Sequence, residues 1–117
     1  MSKAQNLLFV CCHNRSRSLT AERMFEESRG YAVKSVGTAL GARQRVTNWH
    51  IRWADTIFVM EEIQALLLKE QFADLLSDKP VICLGIPDKY SFMEPDLVDK
   101  LTTTVGKYLN SPELNMA

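Results

Sequence analysis

Short apolar runs alternate with longer amphipathic stretches along the 117-residue chain. Residues 7–10, Leu-Leu-Phe-Val, form an unbroken apolar run of the kind found in strands buried on both faces. Residues 20–29 read as a helix, with Gly30 as its stop signal. Residues 31–36 alternate and read as a second strand, ended by Gly37 and Thr38. Thr47 and Asn48 give a helix-cap signal ahead of Trp49, Ile51 and Trp53. A third strand is expected over 56–60, rich in apolar and β-branched residues. Residues 61–76 predict one helix with a break near Gln71, and Lys79 and Pro80 lead into a fourth strand over 81–84. A last helix over 95–109 opens on Pro95, whose missing N–H and fixed φ suit a first turn. Residues 110–117 are expected to form a frayed tail.

Strands alternating with helices imply an α/β domain, its parallel sheet covered on both faces by helices in three layers. Crossovers should be right-handed, and ligands should sit at the carboxyl ends of the strands. Without repeats, low-complexity segments or a linker, residues 1–117 read as a single domain, and 46% hydrophobic content suffices for its core.

The carboxyl end of the first strand carries the chemistry. Cys11-Cys12-His13-Asn14-Arg15-Ser16-Arg17 brackets five residues between a cysteine and an arginine, and Ser18 follows at once. A strand turning sharply into a helix leaves backbone N–H groups pointing into the turn, beside the positive end of the helix dipole. That geometry holds an anion of phosphate shape and favours the thiolate of a cysteine placed there. Arg17 supplies a planar fork of donors suited to two phosphate oxygens, and the Ser18 hydroxyl can donate to the sulfur. Asn14 is expected to take a left-handed conformation or to brace the loop through its side chain. His13 reads equally as brace, substrate contact or exposed bystander, and Cys12 as buried packing or a site of oxidation.

Composition narrows the field. Fourteen basic and fourteen acidic residues cancel, so nothing marks a general nucleic-acid binder. Arg15, Arg17, Arg23, Arg43, Arg45 and Arg52 nonetheless bias the first half, and part of that bias is expected around the anion site. Arg23 and Arg52 read as ordinary solvated surface. No signal peptide or transmembrane-length run is visible, so no membrane association is expected. Three cysteines, two of them adjacent, do not make a disulfide framework, and a reduced cytoplasmic setting is the default. His13 and His50 lie far apart and no Cys-x2-Cys pair exists, so neither metal nor cofactor is expected. The Gly-x4-Gly-Lys-Ser/Thr loop and the Gly-x-Gly-x-x-Gly fingerprint are both absent.

A phosphate ester attacked by Cys11 needs a proton for its leaving group, and Asp88, following the fourth strand, can project over that edge of the sheet. Asp88 also reads as a turn former after Pro87. Glu94 and Asp96 compete for the role, although both look like first-turn residues of the last helix.

Residues 11–18 resemble the catalytic loop of the low-molecular-weight protein tyrosine phosphatase family, which shares its fold with one class of arsenate reductases. The resemblance continues at Ala21-Glu22, at Ser35-Val36-Gly37-Thr38, at Ala42-Arg43-Gln44, at Val46-Thr47 and through Ala54-Asp55-Thr56-Ile57-Phe58-Val59-Met60-Glu61, with a fainter match at Asp88-Lys89-Tyr90. It implies a four-stranded parallel sheet in the order 2-1-3-4 and hydrolysis of phosphate monoesters through a phosphocysteine at Cys11. It also implies substrate contacts from Cys12, His13, Asn14, Arg15, Ser16, Arg17 and Ser18, with Tyr90 beside the substrate ring, although Tyr90 reads equally as a half-buried surface tyrosine. The expected partner is a phosphorylated protein or a small phosphate ester. The chain departs from the family at His13, usually glycine, at Ser16, usually a second cysteine, and at Leu19, usually proline. The segment between Thr38 and Ala42 is shorter, and proline precedes Asp88 where the family has an Asp-Pro pair. Two rival readings remain at this stage: thiol-dependent arsenate reduction, and a non-catalytic module that binds phosphate or a phosphoprotein. Cys83 reads as a core residue of the fourth strand.

Overall fold

A computed structural model describes residues 5–28 and 30–109. Its elements run β1 (Gln5–Cys11), α1 (Arg17–Phe25), β2 (Tyr31–Gly37), α2 (Asn48–Trp53), β3 (Thr56–Val59), α3 (Glu62–Leu76), β4 (Val81–Cys83) and α4 (Pro95–Leu109). All four strands pair in parallel, in the order β2-β1-β3-β4. The expected three-layer architecture and strand order are both found. The tail at 110–117 lies outside the described residues.

Alternation along β1 divides the core in two. Leu7 and Phe9 face one side with Phe58 and Met60, where α1 contributes Ala21 and Phe25 and α4 contributes Leu97, Leu101 and Val105. Phe9 stacks on Phe25 at 5.9 Å and on Phe58 at 5.2 Å between ring centroids. Leu8 and Val10 face the other side with Ile57 and Val59, covered by Ile51 of α2 and by Ala65, Leu68 and Leu76 of α3. Each of the larger side chains, fully buried, stabilises the fold by roughly 1.5–3 kcal/mol, and burial on both faces is what fixes β1 at the centre.

Several boundaries differ from expectation. Helix α1 begins at Arg17 instead of residue 20, its first turn closed by Thr20 N–H on Ser16 C=O (2.8 Å), because the loop winds directly into the helix. It ends at Phe25, before the expected 29, and Gly30 (φ +83°) serves the turn into β2. The break in α3 falls at Phe72 (φ −130°, ψ 30°), one residue from Gln71. Thr47 caps α2 as expected, in a reciprocal box with His50, whose imidazole is held below its usual pKa by burial and by Lys34. The Lys79 ammonium donates to the carbonyls of Ile51, Arg52 and Ala54 (2.6–2.8 Å), closing the other end of that helix. Strand β4 is only three residues long and forms an edge, so Cys83 is half-buried and not the full core residue anticipated.

Beyond β4 the chain stays beside β3. Leu84 N–H donates to Val59 C=O (2.9 Å) and Ile86 N–H to Met60 C=O (2.8 Å), with Gly85 at φ +69° making the bend between them. This path carries Ile86 and Asp88 to the carboxyl end of the sheet. Among the described residues no helix is long and apolar enough to cross a membrane.

Candidate active site

Strand β1 delivers Cys11 to the carboxyl edge of the sheet, and the chain wraps around its sulfur before α1 begins. Asn14 sits in the left-handed region (φ 57°), which asparagine tolerates better than most residues. Its N–H donates to Cys11 Sγ (3.1 Å), and its Nδ2 donates to Ser18 Oγ (2.7 Å). Both alternatives expected for Asn14, left-handed backbone and side-chain brace, are realised together. Ser18 Oγ lies 3.0 Å from Cys11 Sγ and 3.3 Å from Val36 C=O. A hydroxyl has one hydrogen. Ionisation of Cys11 would draw that hydrogen from the carbonyl to the sulfur. Cys11, Asn14 and Ser18 are all buried.

The short segment after β2 orients this loop. Thr38 N–H donates to Cys11 C=O, Ala39 N–H to Cys12 C=O and Arg43 N–H to His13 C=O, each at 3.0 Å, and Arg43 Nε reaches Asn14 C=O at 3.2 Å. In a planar trans peptide the C=O and the next N–H point in opposite directions. Tying the carbonyls of 12–14 outward therefore turns the N–H groups of 13–15 inward, as the Asn14 contact with sulfur bears out. Close approach requires Gly37: a Cβ there would lie 2.5 Å from Cys12 O, 2.7 Å from Ala42 Cβ and 3.0 Å from His13 C. Gly37→Ala is expected to lower unfolding stability by roughly 1–3 kcal/mol through overpacking against backbone. Urea unfolding checks this, and an unchanged midpoint would mean that the loop yields freely.

Arg17 closes the cavity floor at 2% exposure. Its Nη1 donates to Glu61 Oε1 (2.7 Å) and to Ile86 C=O (2.8 Å). Among the described residues its Nε has no acceptor, and Asp88 Oδ1 stands 3.8 Å away, too far for a hydrogen bond. The Arg17 hydrogen bond holds the Glu61 carboxyl below its usual pKa, against the opposing effect of burial. Asp88 is 65% exposed on the rim.

Cys11, His13, Arg15, Ser16, Arg17 and Asp88 together line a cavity of about 140 Å³. Asn14 and Ser18 brace the sulfur. Cys12 and Tyr90 are not brought to the cavity. Cys12 contributes its carbonyl to the lacing, and Tyr90 is half-buried against the core cluster that includes Cys11, with the Lys89 ammonium 5.4 Å over its ring. Glu94 and Asp96 are also elsewhere: Glu94 Oε1 accepts from Ser91 N–H (3.0 Å) and Asp96 lies in the first turn of α4. Sequence reasoning gave no role to Glu61, 44 residues from its partner. The only signal was an acidic residue two positions after β3, at the same sheet edge as Cys11.

Similar architectures are known. The tyrosine phosphatase Wzb from Escherichia coli K30, solved with phosphate, superposes with a TM-score of 0.74 at 18% identity, over 92% of this chain and 97% of Wzb. SP-PTP, a low molecular weight protein tyrosine phosphatase from Streptococcus pyogenes, gives 0.71 at 18% identity, over 93% and 95%. The YwlE arginine phosphatase from Geobacillus stearothermophilus gives 0.68 at 19% identity, over 97% of each chain. No family model and no curated protein matches the sequence. At these identities the likeness is one of fold, and the fold is that of the low-molecular-weight protein tyrosine phosphatases.

Proposed function

We propose that this protein is a cysteine-dependent phosphate-monoester hydrolase, acting on a phosphorylated protein or a small phosphate ester through a phosphocysteine at Cys11. The observation that carries this reading is the setting of the Cys11 sulfur, contacted by Asn14 N–H and Ser18 Oγ in a cavity that also presents Arg17 and Asp88. The phosphatase fold of the neighbours named above supports it.

In the first step the thiolate attacks phosphorus in line. An S–P bond forms, the ester P–O bond breaks, and the equatorial oxygens rest on the loop N–H groups and the free face of the Arg17 fork. Asp88 gives its proton to the leaving oxygen. In the second step water attacks phosphorus, the resulting Asp88 carboxylate takes the proton, and phosphate leaves with the thiolate restored. Positioning and charge stabilisation are most of what phosphoryl transfer requires of a protein. His13 and Arg15 line the mouth, where the remainder of the substrate would pass.

Asp88→Asn tests the acid. General acid assistance is worth on the order of 10²–10⁴-fold, and phenyl phosphate should lose far more than p-nitrophenyl phosphate, whose leaving group carries its own charge. Single-turnover rates separate this step from phosphoenzyme breakdown. An equal, small loss for both esters would return Asp88 to the role of a turn residue. Arsenate reduction fits less well, because a resolving thiol works as a thiolate. Burial pushes the Cys83 thiol upward against the opposing backbone hydrogen bond at Gly85, and the carboxylates of Glu62 and Glu61 add to the rise.

A further inference from the structure

We infer that Arg15 determines specificity by holding a second anionic group on the leaving portion of the ester. The substrate class is then a small phosphate monoester whose leaving group carries an oxyanion of its own, such as a carboxylate. This rests on the function proposed above and narrows it.

Among the described residues, the six that line the cavity include no aliphatic side chain and no phenylalanine, tyrosine or tryptophan ring. A leaving group gains little from apolar contact there, so selection falls to charge and hydrogen bonding.

Charges at the mouth are unevenly matched. Arg17 is balanced by the Glu61 carboxylate at 2.7 Å, and Asp88 enters the first step protonated and so uncharged. Arg15 lines the same cavity and is exposed, and among the described residues it makes neither an ion pair nor a hydrogen bond. The phosphoryl oxygens already have donors in the loop N–H groups and the free part of the Arg17 fork. Arg15 is therefore a cation beyond what the phosphoryl group uses.

Its place is closely set. Arg15 follows Asn14, whose N–H contacts Cys11 Sγ at 3.1 Å and whose carbonyl accepts from Arg43 Nε at 3.2 Å. On its other side, Ser16 C=O accepts from Thr20 N–H at 2.8 Å. From backbone held this close to the sulfur, the guanidinium reaches the near part of a substrate. The second anion thus belongs to the leaving group itself, not to a distant part of a polypeptide. A planar guanidinium offers such an oxyanion two parallel N–H donors.

Phenyl phosphate and 3-carboxyphenyl phosphate test this, because they differ by one carboxylate at a ring position that changes the basicity of the phenoxide little. Values of kcat/KM for both are measured on the unaltered protein, Arg15→Gln and Arg15→Glu. The unaltered protein should prefer the carboxylated ester by roughly tenfold, the effect of a charge-assisted pair discounted for its exposure to water. That ratio should fall to about one with glutamine and lower still with glutamate, which repels the acid. Arg15 has no partner to lose among the described residues, so both variants should fold, which thermal unfolding checks. No preference in the unaltered protein would overturn the inference. So would an equal loss on both esters, which would show that Arg15 only draws phosphate to the site. Should no ester be turned over, the proposed activity fails alone. Benzylphosphonate and 3-carboxybenzylphosphonate, whose binding needs no bond broken, then read the same ratio as dissociation constants by calorimetry. Tighter binding of the acid, lost in Arg15→Gln, would still uphold the subsite, whereas equal affinities or no binding would overturn it.

Discussion

Cys11→Ser should abolish turnover, by at least about 10⁴-fold, because a neutral serine hydroxyl is a far weaker nucleophile than a thiolate and an alkoxide is a far poorer leaving group from phosphorus in the second step. Binding of inorganic phosphate should survive. The carbonyls of 11–14 are tied by Thr38, Ala39 and Arg43, so the loop keeps its shape even though Asn14 N–H loses its contact with the sulfur. Arg17 is likewise fixed by Glu61 and Ile86, not by Cys11. The variant thus separates cradle from chemistry. Calorimetric titration with phosphate, set beside a stopped assay with p-nitrophenyl phosphate, reads both. Substantial residual turnover would end the covalent mechanism, and lost phosphate binding would mean that the sulfur organises the loop.

Arg17→Lys should be nearly as damaging although the charge is unchanged. A lysine ammonium is a point donor without the planar fork. In this structure it would also find two acceptors already placed, Glu61 Oε1 and Ile86 C=O, and would settle on them. The cation would stay paired and the fold intact while the cavity lost its clamp. Loss of a preorganised donor set to a developing oxyanion is worth on the order of 10³-fold in kcat. Stability and turnover measured on one sample make the contrast. Near-normal kinetics would remove Arg17 from the clamp.

Much of this was legible in the chain. The strands announced themselves through apolar runs at 7–10 and 56–60, and the Cys11–Ser18 spacing located the loop that wraps the Cys11 sulfur, because all of that information is local. The start of α1 was not legible in the same way. Residues 17–19 carry no apolar periodicity, and their helical turn is imposed by the loop that feeds it. Tyr90 is undecided in the sequence, and the structure has it half-buried against the core cluster that also holds Cys11. Sequence distance cannot tell which way a loop side chain turns when a core lies within reach. Glu61 was hidden for a third reason: its significance lies in a single contact across two strands, and nothing in its own neighbourhood advertises a cation.

The buried guanidinium also governs how the molecule comes apart. Arg17 belongs to α1, and its two acceptors belong to the β3–α3 junction and to the stretch beyond β4. Lifting either stretch away strands a cation that has almost no access to water, a state dearer than the loss of the hydrogen bond alone. Opening of the loop, of the start of α3 and of the Ile86 stretch is therefore expected to be coupled, which amide hydrogen exchange would report as similar protection in all three. One guanidinium thereby links three stretches of chain that are far apart in sequence.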